Sequence, residues 1–100
     1  DREKELPVTI TDGAKKEIIA IRNHKNIADE YHLRLGVKSA GCGVASFVIG
    51  FDYASEKDEI YTLDGLTVVI EKMQLMYLAG KAVDYGESDG KTGFIFRDKS

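Results

Sequence analysis

The sequence predicts an antiparallel-rich α+β domain with about six to seven short strands and two helices. Most of the chain consists of short runs in which apolar and polar residues alternate, separated by hairpin-length connections. Two other stretches place apolar residues at the spacing of an amphipathic helix. Strands joined mainly to their neighbours in sequence favour this class over a doubly wound parallel sheet.

Length and composition limit the classes of function. One hundred residues correspond to one domain, which we expect to span 1–100. A net charge of −3 argues against nucleic-acid binding, which needs a basic face. No apolar run approaches the roughly 20 residues of a membrane span, so we expect no membrane partner. A single cysteine cannot form an internal disulfide, and we expect a cytoplasmic, reducing environment.

The N-terminal part of the chain is predicted to form a strand and then a helix. Residues 8–10 are a β-branched run after a proline, and Thr11 and Asp12 are favourable N-cap residues. Apolar residues at helical spacing predict a helix from about 14 to 23. The polar residues 23–30 are then expected to form a connection.

Two alternating runs flank the cysteine. Residues 31–38 and 45–53 each have a period of two, which predicts an antiparallel pair with Cys42 at its turn. Gly41 and Gly43 flank Cys42, and glycine allows other groups to approach the backbone closely. The thiol is therefore expected to be more accessible than one in a core strand. The alternative is a small buried hydrophobic residue, because free cysteine is often buried.

A hairpin is the clearest prediction in the second half of the chain. Residues 60–63 and 66–70 are rich in β-forming residues and flank Asp64-Gly65. A type I′ turn requires positive φ at two successive residues, which Asp-Gly tolerates. The charged residues 54–58 before this hairpin are expected to form a loop.

The C-terminal part is predicted as a helix and two strands. Apolar spacing over 71–79, followed by Gly80, indicates a helix that ends at a glycine. Residues 82–85 and 93–96 are predicted strands. The glycine- and charge-rich residues 86–93 between them are predicted to form a loop.

Polar residues outside the cysteine segment show no spacing typical of a metal site. His24 at a helix end and His32 on the polar face of a strand are both assigned to the surface. The carboxylates Asp52, Glu56, Asp58 and Glu59 are assigned to a solvated loop, because no glycine-spaced calcium pattern is present. Asp84 in a predicted strand is either buried or ligating, and the sequence does not decide between these.

Enzymatic motifs are also absent from the sequence. There is no nucleophile elbow, P-loop or Cys-x-x-Cys pair. A hydrolase using Cys42 would need a histidine base nearby, and the sequence brings neither histidine to it. We therefore expect no catalytic residues. A thiol enzyme or redox sensor at Cys42 is kept as the weaker alternative.

Several short motifs occur in a fixed order along the chain. They are Ile10-Thr11-Asp12 with Ala14, Leu33-Arg34-Leu35-Gly36-Val37-Lys38 before Gly41-Cys42, Phe47 with Phe51, Asp64-Gly65-Leu66-Thr67-Val68-Val69-Ile70, Leu75 and Leu78 before Gly80, Val83-Asp84-Tyr85, and Gly93-Phe94 with Phe96. Their order resembles the A-type iron–sulfur carrier family, also called the HesB-like domain. The resemblance extends from about Val8 to Phe96 and implies a compact β-rich fold.

The resemblance also implies a function. Members of that family bind iron or a [2Fe–2S] cluster and pass it to apo-proteins, as homodimers or tetramers that receive it from a donor scaffold. They ligate it with one cysteine after the Leu-Arg-Leu-Gly-Val-Lys strand and with two in a Cys-Gly-Cys tail. Only the first carries over to this sequence, as Cys42, which is the expected iron and cluster ligand.

Two departures from the family pattern affect this interpretation. Gly43-Val44 replaces the usual Ser-Gly after the cysteine, and no Cys-Gly-Cys occurs in the 100 residues. We expect residues 1–6 to be a loose segment and the native tail to follow Ser100. With one cysteine per chain, a dimer supplies only two of the four thiolates that a [2Fe–2S] cluster typically takes. Water, carboxylate, histidine, glutathione or a tetramer would supply the others. The alternative is a degenerate HesB-like interaction module without a cluster.

Overall fold

The computed structural model describes residues 5–39 and 45–99. In chain order, its elements are β1 (Thr9–Ile10), α1 (Asp12–His24), β2 (His32–Ser39), β3 (Ala45–Asp52), β4 (Asp58–Leu63), β5 (Leu66–Glu71), a 3₁₀ turn (Lys72–Gln74), α2 (Leu75–Leu78), β6 (Lys81–Ser88) and β7 (Lys91–Asp98). The α+β class is therefore confirmed. No helix within these residues is long and apolar enough to cross a membrane.

The chain separates into two units. Unit 1 consists of Asp1–Pro7 and Asp29–Ala79, and unit 2 consists of Val8–Ala28 and Gly80–Ser100. Each described unit contains one mixed sheet, with strand order β3-β2-β5-β4 in unit 1 and β1-β6-β7 in unit 2.

The unit 1 sheet is made of two antiparallel hairpins. Strands β2 and β3 form one hairpin and β4 and β5 form the other. A parallel ladder between β2 and β5 joins them, with Leu33 opposite Val68 and Arg34 opposite Val69. Because side chains alternate along a strand, one face of this sheet collects most of the apolar residues, and Val69 is a buried exception on the other face. The most buried residues on the apolar face are Leu33, Leu35, Val68 and Ile70.

The predicted pairing across the cysteine segment is confirmed. Strands β2 and β3 are antiparallel, from His32 opposite Asp52 to Ser39 opposite Ala45. The predicted turn at Cys42 belongs to residues 40–44, which lie outside the described residues.

Both two-residue hairpin turns in the described chain are Asp-Gly. Asp64 and Gly65 have φ angles of 50° and 82°, and Asp89 and Gly90 have φ angles of 54° and 77°. The turn at Asp64-Gly65 was predicted. The turn at Asp89-Gly90 was not, and the prediction of a loop over 86–93 is wrong, because β6 and β7 extend up to this turn.

The cause of this error is the glycines that flank the second turn. Gly86 and Gly93 lie opposite one another in the β6–β7 ladder, so they are strand residues and not loop residues. The Asp-Gly pair between them was the better indicator of local structure.

Unit 2 attaches α1 to its sheet through one threonine. The Thr11 hydroxyl accepts a hydrogen bond from the Ala14 amide (3.2 Å) and donates one to an Asp84 carboxylate oxygen (2.9 Å). The Thr11 amide donates to the Val83 carbonyl at 3.0 Å, next to the parallel β1–β6 ladder. Thr11 thus both caps the helix and fixes its start against β6.

The Asp84 carboxylate is held by hydrogen bonds within this unit. Its carboxylate also accepts hydrogen bonds from the Tyr85 amide (2.8 Å) and from Arg97 (3.2 Å). These hydrogen bonds lower the pKa of Asp84 below its usual value. The bond from the Tyr85 amide has the largest effect on the pKa, followed by the bond from Thr11. Its side chain is about one third exposed, and its oxygens are engaged by the protein itself.

The predicted helix over 71–79 is shorter in the structure. Glu71 belongs to β5, and the helical residues comprise one 3₁₀ turn and the single α-helical turn α2. Leu78 is fully buried. Gly80 follows with φ of 79°, the left-handed conformation that glycine adopts after a helix.

Two glycine substitutions should change stability in opposite directions. Gly65→Ala places a β-carbon on a residue with φ of 82°, and we expect it to lower the free energy of unfolding by about 1 kcal/mol. Gly13 lies in α1, and no atom lies within 4 Å of the place that an added β-carbon would take. Gly13→Ala should therefore raise the free energy of unfolding by about 0.5 kcal/mol. Urea unfolding of both variants measures the two effects, and equal shifts would contradict the explanation.

Candidate functional site

Arg34 links three strands of the unit 1 sheet. Its guanidinium donates two hydrogen bonds to the Asp58 carboxylate, at 2.6 and 2.8 Å. It also donates to Asp52 at 3.2 Å and to the Tyr53 carbonyl at 3.0 Å. Arg34 is in β2, Asp58 begins β4, and Asp52 ends β3. One side chain therefore connects both hairpins of the sheet.

The Asp58 carboxylate is buried and ionised. Its side chain is only 2% exposed, and the hydrogen bonds from Arg34 lower its pKa below the usual value although burial opposes this. The Ser55 amide donates a further hydrogen bond at 2.8 Å. In turn, the hydrogen bonding to Asp58 raises the pKa of Arg34. The two residues form a permanently charged pair at neutral pH.

The assignment of Asp58 to a solvated loop is therefore wrong. Asp58 is the first residue of β4 and its partner is 24 residues earlier in sequence. Only the strand order of the sheet brings the two together, and the charged neighbours Glu56 and Lys57 are both exposed. An aspartate just before a strand is the one weak indication that the sequence contained.

Gln74 supports the opposite end of β2. Its side-chain oxygen accepts a hydrogen bond from the Val37 amide at 2.9 Å, and its amide nitrogen donates to Glu71 at 3.3 Å. Strand β5 ends at Glu71, so the Gln74 side chain supplies the acceptor that a longer strand would have provided. A β-carbon on Gly36 would lie 2.9 Å from the same oxygen, so a larger residue there would require the Gln74 side chain to shift.

The expected ligand, Cys42, lies outside the described residues. The structure describes the strands that precede and follow its connection, which is five residues long between the paired Ser39 and Ala45. Arg34 and Gln74 fix the strand that leads into this connection. Neither supporting interaction is predicted by the sequence patterns.

Two tyrosines stack at the other end of this hairpin. The Tyr53 hydroxyl donates to the Tyr31 hydroxyl at 2.9 Å, and the ring centroids are 4.4 Å apart. The hydrogen bond to Tyr31 raises the pKa of Tyr53. Tyr31 lies next to His32, where β2 begins. At roughly 3.3 Å per residue, β2 is about 23 Å long, so the tyrosine pair is far from the end of β2 at Ser39. The pair is remote from the cysteine connection.

The described residues contain no other candidate metal centre. Across 5–39 and 45–99, no three His, Asp or Glu side chains come close enough to hold a metal ion together. His24 is in the last turn of α1 in unit 2, and His32 begins β2 in unit 1. An open depression of about 370 Å³ in unit 1 is lined by Arg34, Asp52 and Asp58, among others. Asp52 and Asp58 there already bind Arg34, and Glu71, which also lines the depression, accepts a hydrogen bond from Gln74.

Removing the Asp58 charge should destabilise the protein in a pH-dependent way. Asp58→Asn breaks a buried bidentate pair, so we expect the free energy of unfolding to fall by about 2 kcal/mol at pH 7. A lowered pKa stabilises the fold above the unfolded value of about 4, and this contribution is lost as pH falls through the folded pKa. The difference between wild type and variant should therefore shrink below about pH 4.

The matched control is Asp98→Asn, which removes a carboxylate that pairs with Lys81 on the surface. The Asp98 side chain is 84% exposed, so the change should be much smaller. Urea titrations between pH 3 and 8 measure both variants. Equal effects of the two substitutions would contradict the role of the buried pair.

The contact between Gly36 and Gln74 predicts a second difference. Gly36→Ala should displace the Gln74 side chain and leave the Val37 amide unpaired, which would lower the free energy of unfolding by about 1–2 kcal/mol. Gly50→Ala in β3 is the control, because nothing lies within 4 Å of its β-carbon position. Hydrogen exchange of the Val37 amide, measured by NMR, should accelerate only in Gly36→Ala.

Comparison with known proteins identifies the family. The sequence pattern of the iron-sulphur cluster biosynthesis family matches residues 6–99. "Uncharacterized protein SufA" of Bacillus subtilis is 36% identical over 90 residues, which cover 88% of this chain and 73% of that protein. "Iron-binding protein IscA" of Xenorhabdus nematophila is 27% identical over 94 residues, covering 93% and 86%.

Solved structures have the same fold. A solution structure of a protein from Aquifex aeolicus matches with a TM-score of 0.71 and 29% identity, covering 98% of this chain and 97% of that one. A crystal structure described as IscA with the [2Fe-2S] cluster matches with a TM-score of 0.75 and 24% identity, covering 91% and 84%. With a family match over nearly its whole length, this chain belongs to the iron-sulphur cluster biosynthesis family.

Proposed function

We propose that the protein holds iron or a [2Fe–2S] cluster as cargo through Cys42 and transfers it to apo-proteins. The main support is the position of Cys42, which follows the Leu33–Lys38 motif as the first ligand cysteine does in A-type carriers. Family membership supports the same assignment, as do relatives named for iron binding. The proposal involves no catalytic residue, and a reducing cytoplasm would keep the thiol free.

The number of thiolates makes a second copy part of this proposal. A cysteine binds iron as its thiolate, and one cysteine per chain leaves a [2Fe–2S] cluster short of its usual four. A homodimer or tetramer would bring further copies of Cys42 to the cluster. An incompletely enclosed cluster suits a carrier, because incoming ligands can reach the iron.

Transfer would proceed by ligand exchange. A thiolate of the acceptor binds cluster iron and the Cys42 thiolate dissociates, so one Fe–S bond forms as another breaks. No electron is transferred, and the proton released by the incoming thiol is taken up by the departing thiolate. A donor scaffold would load the cluster by the same exchange in the opposite direction.

The described part of the hairpin suits this role. Arg34 fixes β2 to β3 and β4, and Gln74 binds the Val37 amide near the other end of the strand. A connection held between two supported strands can present a ligand at a constant place.

The second candidate is an interaction module that no longer binds a cluster. The observation that favours it is Gly43-Val44, where the family has Ser-Gly after the cysteine. In that case the protein would keep the family fold and bind a protein partner without iron.

Anaerobic reconstitution of the native-length protein with iron and sulfide tests the proposal. Wild type should develop visible charge-transfer absorption and pass its cluster to an apo-ferredoxin. Cys42→Ser should lose most of the bound iron and the absorption. Ser46→Ala, an exposed change on the same hairpin, should behave as wild type.

Two results would reject the carrier assignment. One is a Cys42→Ser protein that binds and transfers clusters as well as wild type. The other is a folded wild type without bound iron or colour, which would favour the interaction module. Circular dichroism of each variant excludes misfolding as the cause.

A further inference from the structure

Two tyrosine rings stack at the end of the β2–β3 hairpin that lies away from the cysteine connection. Tyr31 directly precedes β2 and Tyr53 directly follows β3, next to the last pair of the ladder, His32 opposite Asp52. Their ring centroids are 4.4 Å apart, at the short end of the range for aromatic pairs, and the ring planes are inclined by 36°. The Tyr53 hydroxyl donates to the Tyr31 hydroxyl at 2.9 Å. We call Tyr31 and Tyr53 the tyrosine pair.

The backbone of Tyr53 is fixed by two hydrogen bonds. The Arg34 guanidinium donates to the Tyr53 carbonyl at 3.0 Å, and the Tyr53 amide donates to an Asp52 carboxylate oxygen at 2.8 Å. Arg34 is itself held by the buried Asp58 carboxylate. The interactions that join the strands of this sheet therefore also keep Tyr53 in place beside Tyr31.

The tyrosine pair is accessible from solution. Tyr53 is 53% exposed and Tyr31 is half-buried. A phenol hydroxyl at the surface can bond to water, so neither hydroxyl depends on the other for a hydrogen-bond partner. The arrangement instead places two oxidisable rings in contact with each other and within reach of an oxidant.

Phenols held in this way are arranged for oxidative coupling. A phenol that loses one electron and one proton becomes a phenoxyl radical, whose unpaired electron is shared between the oxygen and the ortho and para ring carbons. The para carbon of tyrosine carries the rest of the side chain, so two such radicals join through their ortho carbons. In the product, the two hydroxyls flank the new bond and can hydrogen-bond to each other. The hydroxyls of the tyrosine pair already have this relation.

We propose that Tyr31 and Tyr53 are a modification site, at which a one-electron oxidant joins the two rings as an intramolecular dityrosine. Each phenol gives up one electron and one proton, the two radicals form one carbon–carbon bond, and the two ortho ring protons move to the phenol oxygens. A haem peroxidase carries out such one-electron steps in turn. With hydrogen peroxide as its oxidant, two hydrogen atoms leave the protein and one peroxide becomes two water molecules. Cluster binding by Cys42 plays no part in this reaction.

The cross-link would close the hairpin at the end away from Cys42. The chain joins β2 to β3 through residues 40–44, so a bond between Tyr31 and Tyr53 completes a covalent ring around the ladder. Such a ring removes conformations from the unfolded chain and thereby stabilises the folded hairpin. Thiols reduce a disulfide but not a carbon–carbon bond, so the modification is permanent.

The other three tyrosines provide internal controls. Tyr61 is buried, with 6% exposure, and Tyr85 stacks against Phe94, whose ring has no hydroxyl to oxidise in this way. Tyr77 in α2 is 56% exposed, about as much as Tyr53, but does not belong to the tyrosine pair. If exposure alone decided the reaction, Tyr77 would react as readily as Tyr53.

Oxidation of the native-length protein by a haem peroxidase with limiting hydrogen peroxide tests the site. The protein is dilute and cluster-free, and its cysteine is blocked with iodoacetamide so that the thiol does not consume oxidant. The monomer should lose the mass of two hydrogen atoms and gain the blue fluorescence of dityrosine. Proteolysis should yield a linked pair of peptides that contain Tyr31 and Tyr53.

Two matched variants separate the tyrosine pair from exposure alone. Tyr53→Phe keeps the ring and removes one hydroxyl, so the dityrosine yield within the monomer should fall by about tenfold, because no second phenol is held in position. Tyr77→Phe should react as wild type does. After oxidation, wild type and Tyr77→Phe should unfold at a higher urea concentration than before, whereas Tyr53→Phe should not.

Several results would overturn the modification site. They are a wild-type monomer that keeps its mass, dityrosine that forms only between molecules, and linked peptides that contain Tyr77 in place of the tyrosine pair. A Tyr53→Phe protein that is folded by circular dichroism and cross-links within the monomer as well as wild type would also reject it.

Discussion

The paired charges of Arg34 and Asp58 join the two hairpins of unit 1. The parallel ladder between β2 and β5 has only two residue pairs in register, which is a short junction for a four-stranded sheet. Arg34 crosses that junction from β2 to the first residue of β4 and also binds the end of β3. A bidentate, nearly buried ion pair fixes geometry as well as distance. An exposed pair such as Lys81 with Asp98 contributes much less.

Gln74 completes this arrangement at the other end of β2. Where β5 stops, the Gln74 side chain accepts the hydrogen bond of the Val37 amide, and Gly36 leaves room for it. Strand β2 is thus held by side chains near both of its ends. This strand leads into the connection that contains Cys42, so interactions remote from the cysteine in sequence define where that connection starts.

The short helical segment after β5 has two different faces. Gln74 binds the Val37 amide and Leu78 is fully buried, while Met73, Met76 and Tyr77 are each more than half exposed.

Local patterns in the sequence determined most elements, and the tertiary structure decided how they combine. Period-two runs located β2 and β3, Thr11 located the start of α1, and Asp64-Gly65 located a type I′ turn, because each depends on nearby residues. The motifs around Cys42 indicated the family. The parallel pairs β1–β6 and β2–β5, the buried Asp58 and the role of Gln74 depend on residues far apart in sequence, and only folding brings those residues together.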